Sequence, residues 1–201
     1  MKRYFPLSRV GVFLILGIFL VFAGCDTGIG SYTPGDNLPD ALLQSPVIDL
    51  PGGITVEEIS GDSTSMDSAF PATIVLANST AAPVDVTFSA GSNFWCTNDA
   101  AQNLIIVYDY TLTVPAGGTR SGTLPTYCLN SALDAPGEQD GYILGTVYTG
   151  GCMGTIISIL STKDPSSFDL FDHFTINDAI WECLEEGSIT QDTLDLLNAL
   201  P

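Results

Sequence analysis

Apolar positions follow three rhythms in succession along the chain. Behind Lys2, Arg3 and Arg9 comes an unbroken apolar run, residues 10–21. In the middle of the chain apolar and polar residues alternate: Val84, Val86 and Phe88 against Asp85, Thr87 and Ser89, then Tyr110, Leu112 and Val114 against Asp109, Thr111 and Thr113. A period of two places every second side chain on one face of a half-buried strand. Ile54 and Val56 with Ile59, the aliphatic runs 72–77 and 104–107, and residues 119–124 add further strands. Breakers at 78–83 and the turn residues Pro115-Ala116-Gly117-Gly118 separate them. The strands at 72–77 and 84–89 are joined by a short polar link and read as an antiparallel pair.

Towards the C-terminus the period changes to that of a helix. Met153, Ile156, Ile157 and Leu160 have the i, i+3, i+4, i+7 spacing of one buried face, and Asp164-Pro165 stops the helix. Residues 168–186 are helix-compatible, with Ser167 or the pair Thr175 and Asp178 as starts and Gly187 as the end. Thr190 is a good N-cap for a last helix whose apolar face is Leu194, Leu196, Leu197 and Leu200. Strands first and helices last make an α+β chain. Repeated short strands resemble an antiparallel, immunoglobulin-like β-sandwich, placed at residues 46–128. Residues 129–201 are then a loop and a small helical subdomain packed on it.

The first 25 residues read as an address. A basic start, a short apolar core and small residues before a cut are what a secretory signal requires. The run 10–24 has 15 residues, short of the roughly 20 needed to span a bilayer. Cys25 follows Ala23 and Gly24 directly, and Phe22-Ala23-Gly24-Cys25 resembles the lipobox of bacterial lipoproteins. The resemblance implies a signal peptide at 1–24, lipid on Cys25 and attachment to the cell membrane on its extracytoplasmic side. Asp26 resembles the inner-membrane retention signal of some Gram-negative lipoproteins. Residues 25–45, rich in Gly, Pro, Asp and Ser, read as the lipidated cysteine and a flexible tether.

Charge then narrows the partners. Removing residues 1–24 takes away three of the five basic side chains, so Arg120 and Lys163 face 23 acidic residues, a formal charge of −21. Such a chain does not neutralise phosphates, which excludes nucleic acid, and an anionic lipid surface repels it. Membrane attachment therefore falls to the lipid on Cys25, and the partner is an unidentified protein or glycan. Four cysteines remain, Cys96, Cys128, Cys152 and Cys183. An even number in an exported chain favours two disulfides. Three pairings exist; Cys96 with Cys128 and Cys152 with Cys183 are favoured because each joins neighbouring segments. A zinc site lacks its spacing, since there is no Cys-x-x-Cys and only one histidine, His173.

Little else carries chemistry. A hydrolase would need His173 as its base, but no Gly-x-Ser-x-Gly elbow accompanies it. Glu57-Glu58 and Glu185-Glu186 are adjacent in sequence and read as solvated faces. The acidic loops 62–67 and 134–140 are the candidate calcium ligands, without the spacing of an EF-hand; no other cofactor is implied. Asn78-Ser79-Thr80 is formally a glycosylation sequon. Phe94, Trp95, Tyr108, Tyr110, Tyr127 and Trp181 supply flat rings, of which Trp95, read as lying in a polar loop, is the candidate ligand contact.

One further likeness concerns Pro125-Thr126-Tyr127-Cys128-Leu129-Asn130 and Ile176-Asn177-Asp178-Ala179-Ile180-Trp181. Together they resemble the thioester domains of bacterial surface adhesins, in which a cysteine bonded to a glutamine captures an amine. Cys128 matches the cysteine; Asn177 stands where the family has glutamine and Ile176 where it has threonine. The sequence thus points first to a non-enzymatic, lipid-anchored binding or structural module of the cell envelope. The covalent adhesin using Cys128 and a hydrolase are the alternatives.

Overall fold

Among the described residues nine strands precede three longer helices, the order that the changing period predicts, and one short helix comes ahead of the strands. The computed structural model describes residue 38 and residues 40–62, 70–98 and 101–201. The N-terminal apolar run, Cys25, most of the tether and the first acidic loop beyond Asp62 lie outside the described residues. The strands are β1 Ile54–Gly61, β2 Ala72–Asn78, β3 Val84–Phe88, β4 Ser92–Cys96, β5 Leu104–Ile106, β6 Tyr110–Val114, β7 Thr119–Leu124, β8 Thr126–Cys128 and β9 Tyr142–Val147. They form three antiparallel groups, β1-β2-β7, β3-β6 and β8-β5-β4-β9. The helices are α1 Asp40–Leu43, α2 Gly151–Leu160, α3 Leu170–Glu186 and α4 Gln191–Ala199. No described helix is long and apolar enough to cross a membrane.

The expected pairing of the second and third strands does not occur. β2 lies between β1 and β7, whereas β3 pairs with β6. The reason is Asn78, whose side chain bends the chain out of the sheet. Its Nδ2 donates to the carbonyls of Ala82 (2.8 Å) and Val114 (3.1 Å), and its Oδ1 accepts from the Thr80 N–H and hydroxyl. These bonds close the 78–82 link into a corner between sheets rather than a hairpin. The same burial removes Asn78 from the sequon reading, because its amide is wholly engaged inside the fold.

The four-stranded sheet is the middle layer of the molecule. Every residue of β4, β5 and β8 is buried, because side chains on both faces meet apolar neighbours. One face presents Phe94, Cys96, Leu104, Ile106 and Cys128 to Ile74, Leu76, Val86, Phe88 and Leu124 of the other strands. This is a sandwich-like core. The opposite face presents Trp95, Ile105, Val107, Tyr127 and Leu129 to Met153, Ile156 and Leu160 of α2, Ile176 and Ile180 of α3, and Leu197 of α4. The sheet also takes in β9, so strands continue past residue 128, where the helical region was expected to begin.

Both edges of this sheet are closed. An open edge exposes unpaired N–H and C=O groups and invites wrong pairing. Along β9, the Val147 N–H donates to Pro46 O (2.8 Å) and the Ile48 N–H to Gly145 O (3.0 Å). Just before, α1 buries Leu42 and holds Thr146, whose hydroxyl donates to Leu42 O at 2.8 Å. The last part of the expected tether is therefore packed structure. Along β8, the Cys128 N–H donates to Asn177 Oδ1 (2.8 Å) and Asn177 Nδ2 donates to the Cys128 carbonyl (3.5 Å). The amide of one side chain stands in for a neighbouring strand.

The helices begin and end for local reasons. α2 buries Met153, Ile156 and Leu160, as their spacing predicts. α3 starts neither at Ser167 nor at Thr175: Asp169 is its N-cap, accepting from the N–H groups of Phe171 (2.8 Å) and Asp172 (3.0 Å), while the Asp172 carboxylate accepts from the Asp169 N–H (2.9 Å). This reciprocal box uses an Asp where Glu or Gln is usual. Gly187 ends α3 in the left-handed region at φ 70°. Thr190 caps α4 as expected, but Leu196 points to solvent, and Leu197 and Leu200 carry the burial. Lys163 closes the far end of α4, its Nζ donating to the carbonyls of Asn198 (2.7 Å) and Leu200 (2.6 Å).

Candidate functional site

The cysteines divide between the two cores. Cys152 and Cys183 are joined in a disulfide with Cα atoms 5.6 Å apart, tying α2 to α3. The expected partner bridge is absent, since Cys96 and Cys128 are both free thiols. β5 explains this: Leu104 pairs with Cys128 on one side and with Phe94 on the other, so β4 and β8 lie two strands apart. Two strand spacings are about 9.5 Å, beyond the roughly 4.4–6.8 Å between Cα atoms that a disulfide accepts. Burial among apolar side chains pushes both thiols above the ordinary range. A protonated, enclosed thiol is a poor nucleophile.

The two segments of the thioester likeness do meet, but through different atoms. Asn177 reaches the peptide group of Cys128, whereas the Cys128 side chain packs in the β/β core. The contact is a strand cap. Asn177 is therefore explained by the exposed edge of β8 that it satisfies. An asparagine between Ile176 and Ile180 on the buried helix face was the available signal.

His173 is 5 % exposed and faces β8, with Nδ1 2.8 Å from the Tyr127 hydroxyl. Phe168 stands edge-on to the imidazole at 5.8 Å and lies 6.2 Å from the ring of Tyr108. Burial raises the Tyr127 hydroxyl far above its usual range, with nearby Tyr108 adding to the effect. A neutral phenol is what holds this contact; the group binds the helix layer to the sheet. Trp95 is not in a loop and does not offer a ring to a ligand. It sits on β4, 6 % exposed, with its indole against Gly145 of the neighbouring strand. A Cβ at Gly145 would run into that ring, so glycine makes the space the tryptophan fills.

The acidic loop 134–140 serves the fold. Asp140 is buried and accepts from the Asn98 side chain (2.6 Å) and the Gly137 N–H (2.7 Å). Among the described residues no group of three or more His, Cys, Asp and Glu side chains is placed to hold a metal. Asn103 and Asn130 form a second polar tie: Asn130 Oδ1 accepts from the N–H (3.0 Å) and the side chain (3.2 Å) of Asn103, whose Oδ1 accepts from the Cys96 N–H (2.8 Å).

What remains is surface. A shallow cleft of about 420 Å³ lies between residues 129–132 and Leu184-Glu185, where the Ser131 hydroxyl donates to the Glu185 carboxylate. Another of about 480 Å³ runs from Ala90 and Tyr108 to Ile157 and Pro165. More distinctive is the start of α3, where Phe171 is 77 %, Phe174 44 % and Leu170 40 % exposed. Folding leaves these large apolar side chains in water, although the same helix buries six residues on its other side. Contiguous exposed aromatic surface marks interaction sites more often than isolated apolar residues do. Periodicity alone did not single them out, because residues 168–186 contain more apolar positions than one helix face holds. No protein-family model, curated protein or solved structure matches the chain.

Proposed function

We propose that the protein is a lipid-anchored, non-enzymatic module that works outside the cytoplasmic membrane. Lipid on Cys25 holds it, and its folded part offers a surface to a partner in the cell envelope. The observation that carries this reading is the N-terminal order of basic residues, a short apolar run and Ala23-Gly24-Cys25. Two features support it. The Cys152–Cys183 bridge suits an oxidising compartment. The charge of −21 left after residue 24 leaves the lipid, not the protein surface, to make membrane contact. In this reading the antiparallel strands are an immunoglobulin-like platform, and the exposed start of α3 is its working face.

The reading is tested by expressing the full chain in a bacterial host and measuring the intact mass and detergent partitioning of the mature protein. The expected product begins at Cys25, carries a diacylglyceryl mass and enters the detergent phase. Cys25→Ser should leave it unmodified. A wild-type product that keeps residues 1–24, or one that is cut without lipid, would sink the proposal.

A further inference from the structure

We infer that Leu170, Phe171 and Phe174 form a docking patch for a basic, amphipathic segment of a partner protein, with apolar side chains that cover the two rings and Lys or Arg that meet the surrounding carboxylates. The inference deepens the binding-module reading and rests on it for the place where the partner is met. Its physical basis is the combination of aromatic exposure with a one-signed rim.

Phe171 and Phe174 are one turn apart on α3, and Leu170 adjoins them. Residues three and four apart on a helix are surface neighbours, so Asp178 continues the same exposed face from Phe174. Asp169 and Asp172 hold the first turn through their capping box. Asp164 lies just ahead in the chain, where its side-chain bond from the Ser166 hydroxyl, with the Ser166 N–H adding, lowers its pKa and keeps it ionised. Four carboxylates in this stretch thus accompany three exposed apolar side chains.

Nearby positive charge offsets them only in part. Lys163, beside Asp164 in sequence, keeps its charge but is held towards the end of α4 by its bonds to the Asn198 and Leu200 carbonyls, and Arg120, the only other Lys or Arg after position 9, is on β7, so one ammonium stands against four carboxylates. Charge therefore selects the occupant. An anionic membrane is repelled, and a second copy of this acidic chain would set carboxylates against carboxylates. A cationic segment gains from both parts of the patch: burial of the rings and release of like-charge repulsion. Aromatic anchors surrounded by charge are the usual anatomy of such contacts.

The test uses the chain from Asp26 onward, which keeps every residue of both cores, and a synthetic helical peptide with leucines every third or fourth residue and lysines elsewhere. The peptide should bind, and its counterpart with Glu for every Lys should not. Phe171→Ser with Phe174→Ser should weaken binding by at least about tenfold. Val47→Ser, which removes an equally exposed apolar residue on another part of the surface, should change it less than about twofold. Thermal melts of both variants should match the parent, which separates lost docking from lost folding.

Unchanged affinity in the double phenylalanine variant would overturn the inference and leave only general charge attraction. So would equal loss in Val47→Ser. Self-association that the phenylalanine substitutions abolish would assign the patch to a second copy, and adsorption to phosphatidylcholine vesicles that they abolish would assign it to lipid; either result overturns the proposal. Because the peptide assay does not involve Cys25, failure of the anchor and failure of the patch are read separately.

Discussion

On one face of the β8-β5-β4-β9 sheet, free thiols and hydrocarbon pack against two other groups of strands; on the opposite face, a disulfide and buried polar contacts hold three helices. The contrast follows from how each layer is tied to the sheet. Strands exchange backbone hydrogen bonds and supply alternating side chains, so on the β/β side the polar ties are confined to corners and strand ends, where Asn78 and the Asn103–Asn130 pair bond to backbone. Helices satisfy their backbone internally and meet the sheet only through side chains. The helical layer is accordingly tied to the sheet by Tyr127 with His173 and by Asn177 on the edge of β8, while Cys152–Cys183 joins two of its own helices. His173 and Asn177 lie there because that is where the helices need positioning.

The strongest test compares neighbours on β4 that point to opposite cores. Phe94→Ala empties the β/β core and Trp95→Ala the helical one, and each should cost about 3–5 kcal/mol in chemical denaturation. A Trp95→Ala cost below about 1 kcal/mol would mean that the helices do not pack on the sheet as described. Breaking the disulfide comes next. The bridge closes a 31-residue separation, and Cys152→Ser with Cys183→Ser should destabilise the protein by about 3–4 kcal/mol. Hydrogen exchange should rise in α2 and α3 before β4; uniform exposure of both layers would show that the two cores do not open separately.

Asn177→Ala leaves the outward N–H and C=O of Cys128 without their partner and should cost about 1–3 kcal/mol. If Asn177 only decorated the helix surface, the melting temperature would not move. A pH scan sharpens the comparison further, because burial raises the hydroxyls of Tyr108 and Tyr127 on the helical side and of Tyr142 on the strand side. A raised folded-state pKa means that the unfolded chain gives up its phenolic protons first. The stabilisation is therefore complete below about pH 10, the unfolded value, and is lost as pH rises above it. Tyrosinate absorbance should appear together with unfolding; ionisation of all tyrosines in a still-folded protein would contradict the burial. The smallest effect belongs to the surface: Phe171→Ser should change stability by less than about 0.5 kcal/mol, since its ring packs little in the free protein.

Several elements were legible from residue order. Alternation located β3 and β6, the 3.6 period located α2, and Thr190 and Gly187 marked helix ends, because each rests on contacts within a few residues. The candidate site was much less so. Trp95 beside a cysteine looked like a loop residue because a strand buried on both faces shows no alternation. Its role depends on Gly145, which is distant in sequence. His173 and Asn177 carried no assigned role in the sequence until their partners on β8 were known.

The sequence by itself determined the broad change from strands to helices, the charge, and the N-terminal features that resemble a lipoprotein address, since these depend on local pattern and composition. Tertiary structure decided what depends on which strands become neighbours. It put β5 between Cys96 and Cys128, sent β2 and β3 into different sheets through Asn78, and left Phe171 and Phe174 outside the core. Pairing across long separations is selected by the combined burial of many segments, and no single stretch of sequence contains that information.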